Sequence, residues 1–168
     1  SAEAMRVKEL LIERGLWSQY LEVGIGPDAE VFTKAPVLST VGTGVDVGIY
    51  SASKWNNPEP ELVLAVASTG RIVGATLGND VNLRDIEGRS ALLLGKAKDN
   101  TASAAVGPFI RLFDATYSMD DVRTAMVTLE IDGADDGFRL AASSPLSEIS
   151  RDPVDIVAQV IGDHHQYP

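Results

Sequence analysis

Two β-type runs, "ELVLAVAS" at residues 61–68 and "RIVGATLGND" at residues 71–80, meet at Thr69-Gly70, and their meeting point constrains the chain more than any other feature. Apolar runs joined by a glycine-containing turn predict an antiparallel hairpin. With Thr69 and Gly70 as the two central turn residues, Ser68 opposes Arg71, Glu61 opposes Gly78 and Glu59 opposes Asp80. A three-residue loop, Ser68 to Gly70, instead slips the register by one and turns Asp80 to the other face, unless a bulge at Gly78 restores it.

The register matters because of what precedes the first run. In "NNPEPELVLAV", Glu59 and Glu61 are two residues apart, so in a strand they project from one face with Cβ atoms roughly 7 Å apart. Asp80 joins them if the two-residue turn holds, and Gly78 then leaves room beside the acids. Three convergent carboxylates with open positions suit a hard cation: Mg²⁺, Mn²⁺ or Ca²⁺. The other reading is two solvated residues on an edge strand, with Pro58 and Pro60 marking the edge.

Composition narrows the chemistry. Among 168 residues there is no cysteine, which excludes disulfides, thiolate nucleophiles and zinc–thiolate sites. Any metal must use oxygen or imidazole ligands. A net charge of −10 with no basic stripe speaks against nucleic acid and anionic membrane as partners. No apolar run approaches the ~20 residues that span a bilayer, and "SAEAMRVKELLIERGLW" lacks a signal-peptide core, so a cytoplasmic location is expected.

Around the hairpin, residues 3–22 have near-helical apolar spacing broken at Gly15, predicting two short helices. Short β-type runs follow: "VFTKAPVLSTV", "VDVGIY", the hairpin, "ALLLGKA" and "AMVTLEI", the last returning through "DGADDG" to "FRLAA". Asp152-Pro153, Asp155, the apolar set Val154, Ile156, Val157, Val160 and Ile161, and then Gly162 predict a capped helix. The expected fold class is α+β, with short, mostly antiparallel strands and flanking helices. The expected organisation is an N-terminal helical segment over residues 1–30 and a β-rich domain over residues 31–168, cut short at its C-terminal end.

The residues after the hairpin add a pattern. Glu59-x-Glu61 is followed by Asp80-x-x-x-Arg84-Asp85, by a lysine block with Lys96 before Asp99, and by Gly107-Pro108. In order, spacing and residue type this resembles the signature of the fumarylacetoacetate hydrolase family. The strings "WNNPEPE", "GNDVNLRDIEGRSALLLGKAKDN" and "SEISRDPVDIVAQVIG" are most similar to its sugar-acid branch, which includes 2-keto-3-deoxy-aldonate dehydratases.

The resemblance implies a β-rich fold of that family, with residues 31–168 as its catalytic domain, and a magnesium site made by Glu59, Glu61 and Asp80. It implies Lys96 as the charged catalytic residue facing a small 2-keto acid. That lysine follows an apolar run, so partial burial and a lowered pKa are expected, against the plainer possibility of a pair with Asp99. Arg84 and Asp85 are expected to pair and brace the turn after Asp80. The implied chemistry is dehydration of a 2-keto-3-deoxy sugar acid, or C–C hydrolysis of a 1,3-diketo acid, in a homodimer. A metal-binding but inactive domain is the third expectation, because the family's Gly-Thr strand and N-terminal lid are not visible in this sequence.

Other candidates carry less. "DGADDG" echoes a calcium loop, but Ala134 and Ser143 stand at ligand positions, and a hairpin loop explains it better. "VGTGVDVG" has Val47 where a dinucleotide motif needs glycine. His164 and His165 follow a helix end and suit surface or interface roles. No Gly-x-Ser-x-Gly elbow is present.

Overall fold

The computed structural model describes residues 2–162. They divide into two compact units, residues 2–32 with 150–162, and residues 33–149. A sequence boundary near residue 30 made no provision for the last helix grouping with the N-terminal residues. His164 and His165 lie outside the described residues.

In the first unit, α1 (Ala2–Glu13) and α2 (Gln19–Ile25) are separated at Gly15, whose φ of 66° ends the first helix. Ser18 caps α2 by accepting from the Leu21 N–H. Lys8 Nζ is 2.6 Å from Glu22 Oε2 and stacks over the Trp17 ring, whose Nε1 donates to the same carboxylate. The carbonyls that α2 leaves open at its C-terminal end meet Arg151, whose Nη2 donates to Val23 O at 2.9 Å, Gly26 O at 2.8 Å and Asp28 O at 3.0 Å.

The second unit is built on a four-stranded sheet and two small strand pairs. Its strands are β1 (Thr40–Val41), β2 (Asn56–Asn57), β3 (Pro60–Val66), β4 (Ile72–Asp80) and β5 (Asn82–Leu83). Two short helices, α3 (Arg84–Glu87) and α4 (Leu94–Lys98), precede β6 (Ala104–Leu112). Then come α5 (Met119–Arg123), β7 (Met126–Asp132) and β8 (Arg139–Pro145). The main sheet runs β1-β6-β4-β3, with β1–β6 parallel and its other neighbours antiparallel; β2 pairs with β5 and β7 with β8, both antiparallel. The chain then returns to the first unit as α6 (Pro153–Val160), where Asp152 accepts from the Val154 N–H. The fold class is α+β.

The expected hairpin forms, but not with the expected tip. Ala67 N–H donates to Arg71 O and Gly70 N–H to Ala67 O, so the loop is the three residues Ser68–Gly70, with Gly70 at φ 81°. That slips the register at Val66↔Ile72. An extra residue, Val73, then shifts it back, and from Ala65↔Gly74 to Pro60↔Asn79 the pairing is the one that faces Glu61 with Gly78. Asp80 N–H donates to Glu59 O at 2.9 Å, which completes the alignment of those two residues. The compensating bulge sits near the turn and not at Gly78. Nor does Gly78 leave space beside the acids: a Cβ there would stand 2.6 Å from Val63 Cγ2.

Three strand expectations fail. "ALLLGKA" is helical, a 3₁₀ turn over Ala91–Leu93 running into α4, and Ser90 caps it by accepting from the Leu92 N–H. An apolar run of Ala, Leu and Lys without β-branched residues is a helix former, and periodicity cannot separate the two readings over so few residues. "VDVGIY" is irregular, with Gly48 N–H donating to Ala102 O at 2.9 Å, and of "VFTKAPVLSTV" only Thr40–Val41 is a strand. Conversely, β6 had no strand signature, because Gly107-Pro108 interrupts it. Pro108 falls where the β4–β6 register shifts, and there its missing N–H breaks no ladder. "DGADDG" is the β7–β8 connection.

The fully buried cluster of this unit is small: Leu83, Ile86 and Ala97, with Leu93 packed against it. It joins β5, α3 and α4, so the residues beside its members, Asn82 and Lys98, are held in fixed positions. Gly78→Ala is expected to destabilise the protein by about 1–3 kcal/mol through overpacking against Val63, with Val63→Ala recovering part of the loss. Chemical denaturation of the two single variants and the double variant measures both effects.

Candidate metal centre

The antiparallel alignment of β3 and β4 brings Glu59, Glu61 and Asp80 together, with one carboxylate oxygen from each lying within 4.8 Å of the others. They are a group that could hold a metal ion. Each carboxylate is held differently. Asp80 is buried at 8% exposure; its Oδ2 accepts from Lys98 Nζ at 2.9 Å, while its Oδ1 is buried and accepts no hydrogen bond. Glu59 binds Lys98 Nζ through Oε2 and accepts from Asn82 Nδ2 at 2.9 Å through Oε1. Its backbone N–H donates to Asn79 Oδ1 at 3.0 Å. Glu61 is the most open of the three.

Two lysines supply the countercharge. Lys98 is 3% exposed, which puts an ammonium in the protein interior between two acids. Burial alone would lower its pKa, but the hydrogen bonds it donates to Glu59 and Asp80 outweigh that and raise it, so it stays charged. Lys34 comes from the irregular segment before β1. Its ammonium donates to Val81 O at 3.1 Å, to Lys98 O and to Ser103 Oγ at 2.9 Å, and forms an ion pair with Asp80 Oδ1 at 3.3 Å. Burial lowers the Lys34 pKa, partly offset by the Asp80 charge.

The donor set fits magnesium. That ion takes oxygens at about 2.0–2.1 Å in an octahedron, so ligand oxygens stand roughly 3–4 Å apart, a spacing compatible with three carboxylate oxygens that lie within 4.8 Å of one another. Asp80 Oδ1 accepts no hydrogen bond within the protein, although the Lys34 ammonium stands 3.3 Å away. Without an ion, burial and then the Asp80 charge push the Glu61 carboxyl up to about 7. Three carboxylates set against two ammonium groups leave the site short of positive charge.

The structure separates the other expected residues. Lys96 is exposed, with Nζ 5.5 Å from the centre of the Tyr50 ring, so its expected partial burial does not hold. It forms no ion pair with Asp99 among the described residues. Asp99 is exposed and ends α4, its N–H donating to Gly95 O. Arg84 and Asp85 each have a different partner. Arg84 Nη1 binds Glu87 Oε2 at 2.7 Å, while Asp85 accepts from Ser53 Oγ at 2.7 Å and from the Lys54 N–H at 2.9 Å. Those contacts, Lys54 first, lower the Asp85 pKa. Sequence reasoning missed Lys98, Lys34 and Asn82. The available signals were a second lysine in "LGKAKD" and a lone lysine inside the apolar run "VFTKAPVL".

The chain is 36% identical over 121 residues to a probable 2-keto-3-deoxyxylonate dehydratase of Haloferax volcanii, covering 72% of this chain and 41% of that protein. It is 38% identical over 94 residues to the 2-dehydro-3-deoxy-D-arabinonate dehydratase of Saccharolobus solfataricus, covering 54% of this chain and 32% of that one. A crystal structure of 2-keto-3-deoxyarabinonate dehydratase superposes with a TM-score of 0.78 at 28% identity, covering 87% of this chain and half of that one. A candidate fumarylacetoacetate isomerase/hydrolase from Oleispira antarctica superposes at 0.57 with 18% identity over 80% of this chain and 62% of that one.

The fold is that of the fumarylacetoacetate hydrolase family.

Within that family the chain is similar to the sugar-acid dehydratases. One related structure, of 2-keto-3-deoxy-D-arabinonate dehydratase, contains magnesium and 2,5-dioxopentanoate; it superposes at 0.71 with 30% identity over 80% of this chain and 46% of that one. No protein-family model matches the chain. The chain spans less than half the length of the two curated relatives it matches.

Proton and cation compete at Glu61. The metal-free folded chain keeps that proton up to about pH 7, whereas the unfolded chain loses it near the ordinary 4.5. Its stabilising share is therefore full below the lower value and lost as pH rises through the higher one. Calorimetric titration with Mg²⁺ or Mn²⁺ is expected to release close to one proton per ion at about pH 6 and little at about pH 8. Glu61→Gln should abolish the release. Uptake with no proton release at either pH would remove Glu61 from the ligand set.

Proposed function

We propose that the protein is a magnesium-dependent dehydratase of a 2-keto-3-deoxy sugar acid. The observation that carries this reading is the convergence of the Glu59, Glu61 and Asp80 oxygens. The sugar-acid dehydratases named among its relatives, and the magnesium and 2,5-dioxopentanoate in one related structure, supply the substrate class. The three carboxylates would hold the ion. Bound there, magnesium supplies electron withdrawal from the carbonyl of a 2-keto acid, which acidifies the C3 protons.

In this reading Lys98, not Lys96, is the charged residue of the reaction. Its ammonium lies within hydrogen-bond reach of Glu59 and Asp80, where it would stand near a keto oxygen brought to those carboxylates and would stabilise the negative charge that a departing C3 proton leaves there. A preorganised charge fixed at both carboxylates needs no reorganisation at that moment. Loss of the C3 proton and the C4 hydroxyl removes one water. For a 2-keto-3-deoxypentonate this leaves a C3=C4 alkene conjugated to the keto group with a C5 alcohol beside it; transfer of a C5 proton to C3 then gives the C4=C5 enol, which tautomerises to 2,5-dioxopentanoate. A homodimer and a cytoplasmic location accompany the proposal; the family resemblance supports the first. No helix among the described residues is long and apolar enough to cross a membrane.

The test is turnover with Mg²⁺, using 2-keto-3-deoxypentonates and acylpyruvates in parallel and following semialdehyde formation and C–C cleavage. Water loss from the sugar acids alone is expected. Cleavage of acylpyruvates would make the protein a hydrolase, and metal uptake without either reaction would make it an inactive metal-binding domain. Lys98→Met is expected to lower kcat by at least about a hundredfold, whereas Lys96→Met should stay within a few fold of the unaltered protein. Steady-state kinetics on the two variants separates the lysines.

A further inference from the structure

We propose that Asn82 is a positioning residue that fixes the Glu59 carboxylate for the cation, using Glu87 as its support; the inference rests on the metal-binding reading above. Asn82 has 0% exposure and lies in β5, opposite Asn57 and next to Leu83 of the buried cluster, so its backbone cannot drift. Its Nδ2 donates to Glu59 Oε1 at 2.9 Å and to Glu87 Oε2 at 2.7 Å. Glu87 Oε2 is gripped in turn by Arg84 Nη1 at 2.7 Å. A line of contacts therefore runs from a half-exposed arginine, through Glu87 and Asn82, to a carboxylate of the candidate metal centre.

Chemistry dictates both the orientation of this amide and its identity. An amide nitrogen carries two hydrogens, and here each meets a carboxylate oxygen. Rotating the group by half a turn would set its own oxygen against both acids. Aspartate at this position has no hydrogen to give when ionised, and serine has one. Asn82 Oδ1 is left buried without a hydrogen-bond partner. Such an orphan is costly, and it is explained when the other end of the group serves two acceptors at once.

The consequence falls on Glu59. Asn82 holds Oε1 and Lys98 holds Oε2, so contacts at both oxygens set the plane of the carboxylate. Asn57 Nδ2 adds a longer contact to Oε1 at 3.4 Å. Support of this kind for a metal-binding side chain is commonly worth 10–100-fold in affinity. Glu87 also responds to the arrangement. Burial alone would raise its pKa, but the bonds from Asn82 and Arg84 outweigh that and hold it lower. The acceptor therefore stays ionised, which keeps its bond from Asn82 charge-assisted.

The experiment is Mn²⁺ and Mg²⁺ titration of the full chain by calorimetry, with the melting temperature of each metal-free variant measured beside it. Asn82→Leu, with the same branched heavy-atom skeleton and unable to donate, is expected to weaken binding by roughly 10–100-fold. Glu87→Leu removes the far acceptor and is expected to weaken it by about tenfold, the lower end of that range. Glu87→Gln keeps an acceptor oxygen and should recover most of the affinity, a rescue that a change in overall stability would not produce. If Asn82→Leu does not fold, the contrast between Glu87→Leu and Glu87→Gln decides the matter alone. Uptake by the unaltered protein that is matched by Asn82→Leu, or an equal affinity of the two Glu87 variants, overturns this proposal and leaves the functional reading standing. No uptake by the unaltered protein overturns both.

Discussion

Like charge forced into a small space is the constraint on which the second unit depends. Glu59, Glu61 and Asp80 cannot lie within 4.8 Å of one another without compensation, because repulsion between ionised carboxylates grows as water is excluded. The compensation is visible in two buried or half-buried ammonium groups, Lys98 and Lys34, and in the amide of Asn82. It is incomplete at Glu61, whose carboxyl holds its proton to about pH 7. An arrangement that stabilised only the fold would not bring three acids together, since replacing such groups by apolar ones is often neutral or stabilising.

The scaffold accomplishes this with few parts. A three-residue turn and one extra residue at Val73 leave Glu59 and Asp80 side by side and place Glu61 two residues further along the strand. The small cluster of Leu83, Ile86, Leu93 and Ala97 joins a short strand to two short helices and carries Asn82 and Lys98 on the residues next to it. Lys34 ties three further points, Val81, Lys98 and Ser103, to the same place. The polar centre and the apolar cluster are thus neighbours in sequence as well as in space. A change in the packing of Ala97 would be felt at Lys98.

Much of this was legible beforehand, and the failures have physical causes. The Glu59–Asp80 alignment followed from the hairpin, although the turn and the bulge each differed from expectation and compensated one another. Two errors of one residue in opposite directions cancel, because side-chain direction in a strand depends only on parity. The terminal helix from Pro153 was readable because its cap, first-turn proline and final glycine are local signals. β6 was not, since its strand character comes from its neighbours β1 and β4 and not from its own pattern.

The sequence by itself determined the acidic set, its all-oxygen chemistry and the pairing that gathers it, because residue type and strand alternation are local properties. Only the tertiary structure decided which lysine meets those acids. In a strand Lys96 and Lys98 would share a face, but in a helix two residues advance the direction by about 200°, so one of them turns inward and the other outward. Whether "ALLLGKA" was helix or strand, and which way it faced, depended on Leu93 and Ala97 finding Leu83 and Ile86. That contact lies between distant segments, and no window of the sequence contains it.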